Sequence, residues 1–445
     1  MMEVIEIPPN IYKTLSTSLD VGQLMDKANI PSVKSLIEKA NNKYLYWTDV
    51  KHRVPEGAGV TAEELWLYIK LGRNSDRNFV PASDKDGKNF SFIVPKMLIR
   101  SLSDIDKWSG GVIETDQPNL GLDEKYVINS LMDEAIASSQ LEGATTEYAV
   151  AKEMLRTGRK PKDKHEKMIV NNWMAMRFIK ENVRKEISIE SICELHTILT
   201  HETLNSENEY GKLRKDDDIV VKYRDKVVHI PPKAETLNAR METLCEFANN
   251  DSEDNWIHPV IKGAIIHFWL AYDHPFNDGN GRTARALMYW YLLSRGYALF
   301  KYLSISKHFL RTPGQYVRAY LHTEHDGNDL TYFLVFNLDS IRYALNELRG
   351  YIKRKQKEIS QANSLLSKFR GLNLRQKGLI YHTVQHPNTI YTIEAHKNTH
   401  GLAYETARKD LLKLVVKGFL KKQKEGKRKF IFLPTGKAIE KLKSM

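Results

Sequence analysis

The chain has 445 residues, 42% of them hydrophobic and 27% charged, with a formal net charge of +12. That length supplies more than one core and suggests two or three domains. No stretch approaches the roughly 20 consecutive apolar residues of a membrane span, and Met1 to Tyr12 lack the basic start and apolar run of a secretory signal, so a cytoplasmic protein with no membrane contact is expected. The two cysteines, Cys193 and Cys245, lie in amphipathic helical patterns and read as core thiols, which argues against a disulfide framework or a structural zinc site.

Residues 1 to about 120 mix short helical and strand-like pieces. Helices are expected over 33–43 and over 62–71, the second carrying Trp66, with the aromatic run Tyr44-Leu45-Tyr46-Trp47 between them. The segments 73–78 and 83–88 read as loops, and no catalytic constellation falls in this region. From Asp123 the pattern is persistently helical. Met132, Ala135, Ile136 and Ser139 share one helix face, and Gly143 is a natural stop. Glu142 then stands at the negative end of a helix dipole, where a carboxylate calls for a cation. Further helices are expected over 150–155, 164–181 and 189–199. His196, beside Leu195 and Leu199, reads as a core histidine, and His165, His201 and His229 show no metal-ligand spacing.

The β-branched runs Ile219-Val220-Val221 and 226–230, separated by polar residues 222–225 and ended by Pro231 and Pro232, predict a hairpin in helical surroundings. An exposed two-stranded hairpin is marginal alone, which points to recognition. A helix over 234–247 follows.

The densest chemistry is His274-Pro275-Phe276-Asn277-Asp278-Gly279-Asn280-Gly281-Arg282-Thr283-Ala284-Arg285, flanked by apolar helical patterns over 261–272 and 284–293. Gly279 and Gly281 let consecutive backbone N–H groups point into one concavity at a helix start, an anion site. Arg282 and Arg285, three residues apart, share a helix face and can grip successive phosphoryl groups. Asp278 suits a magnesium ion bridging phosphates, and His274 is a candidate general base. Tyr289 and Tyr316 are candidates to stack on an adenine ring. Helices over 316–321 and 330–348 complete the helical core, and 351–370 reads as a charged helical connector. From 371 to 445 two helices meet at a Gly-containing turn before a Lys-rich hairpin, the pattern of a winged helix-turn-helix with Tyr404, Thr406, Arg408 and Lys409 facing outward. Such a unit binds nucleic acid or protein, and the sequence leaves both open.

The twelve residues from His274 resemble the signature HxFx(D/E)GNGRxxR of the Fic family, with every fixed position matched. The resemblance implies transfer of AMP from ATP to a Ser, Thr or Tyr hydroxyl of a target protein or of the chain itself. It implies His274 as base, Asp278 as the ligand of Mg2+ (or Mn2+), and Gly279, Asn280, Gly281, Arg282 and Arg285 around the phosphates. Ser138-x-x-x-Glu142-Gly143 is similar to the family's inhibitory motif (S/T)xxxE(G/N), in which the Glu pairs with the second arginine, here Arg285, and blocks the γ-phosphate. The hairpin corresponds to the family's flap, with Ile219, Val220 and Val221 aligning a target segment. The lysine that the phosphotransferring Doc branch carries at the place of Gly281 is absent, which favours nucleotidyl transfer over phosphotransfer. Removal of AMP by the same groups and assembly as a homodimer are further expectations, and a DNA-binding regulator with a nucleotide-sensing core is the alternative. The expected architecture is mainly α: an α+β extension over 1–120, a Fic core over 121–350 with inhibitory helix (130–143), flap (217–232) and signature (274–285), a connector over 351–370 and a winged helix over 371–445.

Overall fold

The computed structural model describes residues 5–17, 21–74, 77–109, 124–204, 206–251, 256–366, 371–425, 429–436 and 440. The expected boundary near 120, the end of the connector at 367–370 and the tip of the wing at 426–428 lie outside them. The chain is mainly helical, and its described strands form three separate two-stranded antiparallel hairpins.

The first helices are α1 (Ile11–Thr17), α2 (Val21–Asn29), α3 (Pro31–Lys43), α4 (Trp47–Val50) and α5 (Ala62–Arg73). Thr61 and Glu64 start α5 with a reciprocal capping box. These helices bury the aromatic run and Trp66 in one cluster with Val33, Leu65 and Ile69. The hairpin β1 (Asn78–Ser83) and β2 (Asn89–Phe92) and the helix α6 (Lys96–Ser109) come next. β1 lies between the two expected loops and takes only Asn78 and Ser83 from them, and 84–88 form the turn to β2. Val80, Ala82, Phe90 and Phe92 join the main core together with Leu98 and Ile105 of α6.

The main body contains α7 (Glu124–Leu141), α8 (Tyr148–Thr157), α9 (Lys164–Glu181) and α10 (Ile189–Thr200), then the hairpin β3 (Val221–Tyr223) and β4 (Lys226–His229). It continues with α11 (Leu237–Asn249), α12 (Pro259–Asp273), α13 (Asn280–Ser294), α14 (Ser306–Arg311), α15 (Pro313–His325) and α16 (Thr331–Leu366). α16 runs unbroken for 36 residues, so the expected connector is, as far as Leu366, the end of a core helix. Buried polar contacts seam the N-terminal helices to its first turn and to the segment just before it: Lys70 Nζ lies 2.8 Å from Asp326 Oδ2, Arg73 Nη1 donates to Tyr332 Oη at 2.8 Å, and Tyr44 Oη donates to Asp329 Oδ2 at 2.7 Å. Lys70 is paired with carboxylates and Arg73 is held by neutral acceptors, Asn41 Oδ1 and Leu45 O among them, so neither buried charge lacks partners.

The C-terminal unit has α17 (Leu374–Gln385), α18 (Ile393–His400), α19 (Tyr404–Val416), β5 (Leu420–Glu425) and β6 (Lys429–Pro434). It closes a small core of its own from Leu379, Ile380, Ile393, Leu411, Leu414, Phe419 and Phe432, and Tyr391 bridges to Phe432 at the edge of the hairpin.

Candidate active site

α12 and α13 are buried on nearly every side, which is why their sequences are apolar all round. Gly263 allows their close approach, since a Cβ there would stand 3.0 Å from Leu292 Cγ and 3.3 Å from Tyr291 Cδ1. The loop between them is pinned at both ends by left-handed residues, His274 (φ 47°) closing α12 and Gly279 (φ 84°) opening α13. Asn280 locks it across the middle, its Oδ1 accepting from Phe276 N–H at 2.9 Å and its Nδ2 donating to Phe276 O at 2.7 Å. Phe276 stacks on the His196 ring at 3.8 Å. Because Gly211 N–H donates to His196 Nδ1 at 3.0 Å, the His196 proton sits on Nε2 and is given to Asp278 O at 2.8 Å. His196 is therefore a fully bonded core residue, neutral because burial pulls it down to about 4.

His274 Nδ1 lies 3.2 Å from Ala271 O, and a carbonyl only accepts, so the proton is on Nδ1 and Nε2 is left with its lone pair. Burial holds this imidazole down to about 4, against the opposing pull of the Ala271 carbonyl. Arg214, unforeseen from sequence, braces the loop: its Nε donates to His274 O at 2.9 Å, its backbone N–H to Pro275 O at 2.8 Å, and its Nη2 to Pro232 O. Asp273, the residue before His274, is clamped by Arg240 Nη2 at 2.6 Å and Trp269 Nε1 at 2.9 Å. An arginine ahead of the β-branched runs was the only sequence signal for the first brace, and nothing marked the second.

Asp278 Oδ1 takes the Gly279 N–H at 2.5 Å, while its side chain is 58% exposed. Arg282 is buried, with Nη1 donating to Leu199 O at 2.9 Å and Nε without a hydrogen-bond partner. An unmet donor there suits an incoming oxygen. Burial pulls the Arg282 charge down, with Glu142 and Asp278 opposing. Arg285 Nε donates to Ser138 Oγ at 2.9 Å, and its Nη2 donates to Ser138 O at 3.0 Å and to Glu142 Oε1 at 2.9 Å. Burial works against this charge, but Glu142 and then Tyr316 outweigh it and raise the guanidinium above its ordinary value. The same Glu142 carboxylate lies against the backbone of Gly281, in the space a Cβ would need. The cation that Glu142 called for is thus Arg285, met just past the end of α7.

The adenine candidates fare differently. Tyr289 is 1% exposed, and its hydroxyl donates to Glu134 Oε2 at 3.0 Å or to Leu303 O at 2.9 Å, so the ring is sealed in the core and unavailable for stacking. An aromatic on the inner face of an all-buried helix packs before it binds. Tyr316 stacks on Phe309 at 4.6 Å and turns its hydroxyl toward His267 and Arg285. The flap register also needs correcting: Val221 to Tyr223 pair with Lys226 to His229 around a turn at Arg224 (φ 55°), so Ile219 and Val220 precede the first strand and Lys222 and Tyr223 belong to it. Among the described residues this sheet has only these two strands, which leaves free edges. A cleft of about 330 Å³ beside Asp278 is lined by Asn277, Asp216, Asp218, Ile219, Glu209 and Lys164, among others.

Residues 186–292 match the model of the Fic/DOC family. Protein adenylyltransferase Fic of Drosophila willistoni is 32% identical over 164 residues, covering 35% of this chain and 31% of that protein. The protein of the same name from Drosophila melanogaster is 28% identical over 252 residues, covering 54% of this chain and 48% of its own length. The chain thus spans between about a third and a half of the curated relatives it matches. A solved structure of Fic-1 from C. elegans superposes with a TM-score of 0.50 at 19% identity, over 78% of this chain and 92% of that one, a likeness of fold. The loop that carries every signature residue lies inside the stretch, residues 186–292, that matches the Fic/DOC family model, and the Fic-1 structure shares the fold around it.

Proposed function

We propose that the protein is an adenylyltransferase that moves AMP from ATP to a protein hydroxyl, its own or a target's, and that Glu142 holds it in check. The observation that carries this reading is the arrangement of Glu142 on Arg285 and over Gly281, within a loop that also presents an unprotonated His274. In this reading the backbone of Gly279 to Gly281 and the side chains of Arg282 and Arg285 receive the phosphates. A hydroxyl laid along the flap gives its proton to His274 Nε2 as its oxygen attacks the α-phosphorus, and the bond to pyrophosphate breaks. The protein supplies position and charge more than covalent chemistry. The free flap edge suits main-chain pairing with an extended target segment.

The residues present fit a magnesium ion. Asp278 is exposed, its Oδ1 accepting from a backbone N–H and lying 3.8 Å from Arg282 Nη2, and no described cluster of three or more His, Cys, Asp or Glu could hold a metal alone. One carboxylate completed by substrate phosphates is a usual magnesium site, and the ion would neutralise phosphate charge there. No described helix is long and apolar enough to cross a membrane, and we place the protein in the cytoplasm.

The test is ATP tagged on the α-phosphate, given to the Glu142→Gly chain with and without His274→Ala. Label on protein that needs His274 supports the reading, and undiminished label without His274 removes the assigned base.

A second reading concerns the C-terminal unit, whose element order supports a winged helix. Tyr404, Thr406, Arg408 and Lys409 on α19 and Lys421, Lys422 and Lys424 on β5 are exposed, a basic face suited to phosphates. A salt-dependent duplex shift that needs Arg408 and Lys409 and survives His274→Ala is expected. Its absence would leave protein contact as the role of that face.

A further inference from the structure

We propose that Tyr316 and His267 are positioning residues that hold the Arg285 guanidinium from behind, keeping it aimed at an outer phosphate after Glu142 has left. The inference rests on the adenylyltransferase reading above and adds to it two residues outside the signature.

Tyr316 Oη lies 2.8 Å from His267 Nε2 and next to the Arg285 guanidinium. Tyr320 Oη closes the group at 3.3 Å from Tyr316 Oη and 3.4 Å from His267 Nε2. On the far side, His267 Nδ1 and Asn337 Oδ1 are neighbours, both buried and both without a hydrogen-bond partner within bonding geometry. The direction of the chain follows from its first member. Arg285 can only donate, so toward it the Tyr316 oxygen acts as an acceptor, and the Tyr316 proton is left for His267 Nε2. The His267 proton is then on Nδ1, facing the Asn337 oxygen. A doubly protonated His267 would break this order beside a second cation, and burial together with Arg285 holds the ring neutral, down to about 3.

This support is independent of the brake. The hydrogen bonds to Arg285 come from Ser138 and Glu142, both at the C-terminal end of α7, so a displacement of that helix end loosens both. Tyr316 belongs to α15, His267 to α12 and Asn337 to α16, helices packed in the main core. Phe309 covers both rings, at 4.6 Å from Tyr316 and 5.8 Å from His267. A guanidinium held from this side keeps its aim while α7 yields.

The experiment uses the 445-residue chain with Glu142→Gly as parent and measures the dissociation constants of ATP and of AMP by calorimetry with magnesium present, alongside thermal melts. AMP lacks the outer phosphates and reports the rest of the site. Tyr316→Phe, which keeps the ring and removes the hydroxyl, is expected to weaken ATP about tenfold, the usual effect of one hydrogen bond to a charged group, and to leave AMP unchanged. His267→Leu is expected to do the same, and His267→Gln, which restores an acceptor, to recover most of the loss. Should His267→Leu fail to fold, Tyr316→Phe carries the test. A preference for ATP over AMP that survives Tyr316→Phe overturns this inference alone, as does an equal loss for both nucleotides. A parent with no preference for ATP removes the assigned role of Arg285, and this inference with it.

Discussion

Replacing Glu142 with glycine should convert a restrained protein into an active one, and the structure sets the scale. Arg285 Nη2 meets Glu142 Oε1 at 2.9 Å, with the arginine side chain 2% exposed and the glutamate 29% exposed. A hydrogen bond between charged groups contributes about 1.5–3 kcal/mol when well buried. The partial exposure of Glu142 moves that toward the lower end, about 1.5 kcal/mol. An ATP that must displace the carboxylate loses that much, so the variant should bind ATP at least about tenfold more tightly. Removing a negative charge from beside the phosphate site acts in the same direction. Initial rates of label transfer from α-tagged ATP, with ATP affinity by calorimetry, measure both effects. Glu142→Gln, which keeps a hydrogen bond and drops the charge, should fall between. If Glu142→Gly alters neither ATP affinity nor rate by more than about twofold while the fold is intact, the Arg285 contact is not the restraint.

Other outcomes are expected. Gly279→Ala places a Cβ 2.7 Å from Thr200 Cγ2 on a residue at φ 84°, so chemical denaturation should show a loss of at least about 2 kcal/mol, and an unchanged midpoint would contradict the loop geometry. Arg214→Leu strips donors from His274 O and Pro232 O, and should lower the transfer rate of the Glu142→Gly chain far more than its ATP affinity. A loss confined to affinity would place Arg214 with the nucleotide instead. Acid should destabilise the fold early. His196 and His274 are depressed to about 4 and His267 to about 3, so between those values and the ordinary 6.5 the unfolded chain binds more protons, and stability falls as pH falls. Each group contributes up to about 1.4 kcal/mol per pH unit in that window, and equal denaturation midpoints at pH 7 and pH 5 would contradict the burial of these rings.

What was legible in the sequence was what is local and densely constrained. The signature spans one loop and one helix turn, so its roles could be read by spacing, and α9 runs over the residues its periodicity predicts. Glu142 was legible as a question, a carboxylate at the wrong end of a helix, whose answer lay far along the chain at Arg285. What was not legible depends on tertiary pairing. The strand Asn78–Ser83 contains Pro81 and runs between the two expected loops, where no element was expected; it pairs with β2, and Ser91 of β2 in turn exchanges hydrogen bonds with Asn328 and Leu330. The flap register slipped because β-branched propensity marks Ile219 to Val221, whereas Tyr223 and Lys226 close the turn. Tyr289 and Tyr316 look alike in sequence. One is bonded by the buried Glu134, which no pattern predicts, and the other reaches His267 from a different helix.

The central claim is that the loop from His274 to Arg285 seats ATP so that its α-phosphorus faces the unprotonated nitrogen of His274. Parallel incubations of the Glu142→Gly protein with ATP tagged on the α-phosphate and with ATP tagged on the γ-phosphate, followed by intact mass and peptide mapping, test it most directly. The account predicts that the α-tag alone becomes covalently attached, to a Ser, Thr or Tyr, and that His274→Ala abolishes the attachment. Attachment of the γ-tag, or of neither, would contradict it.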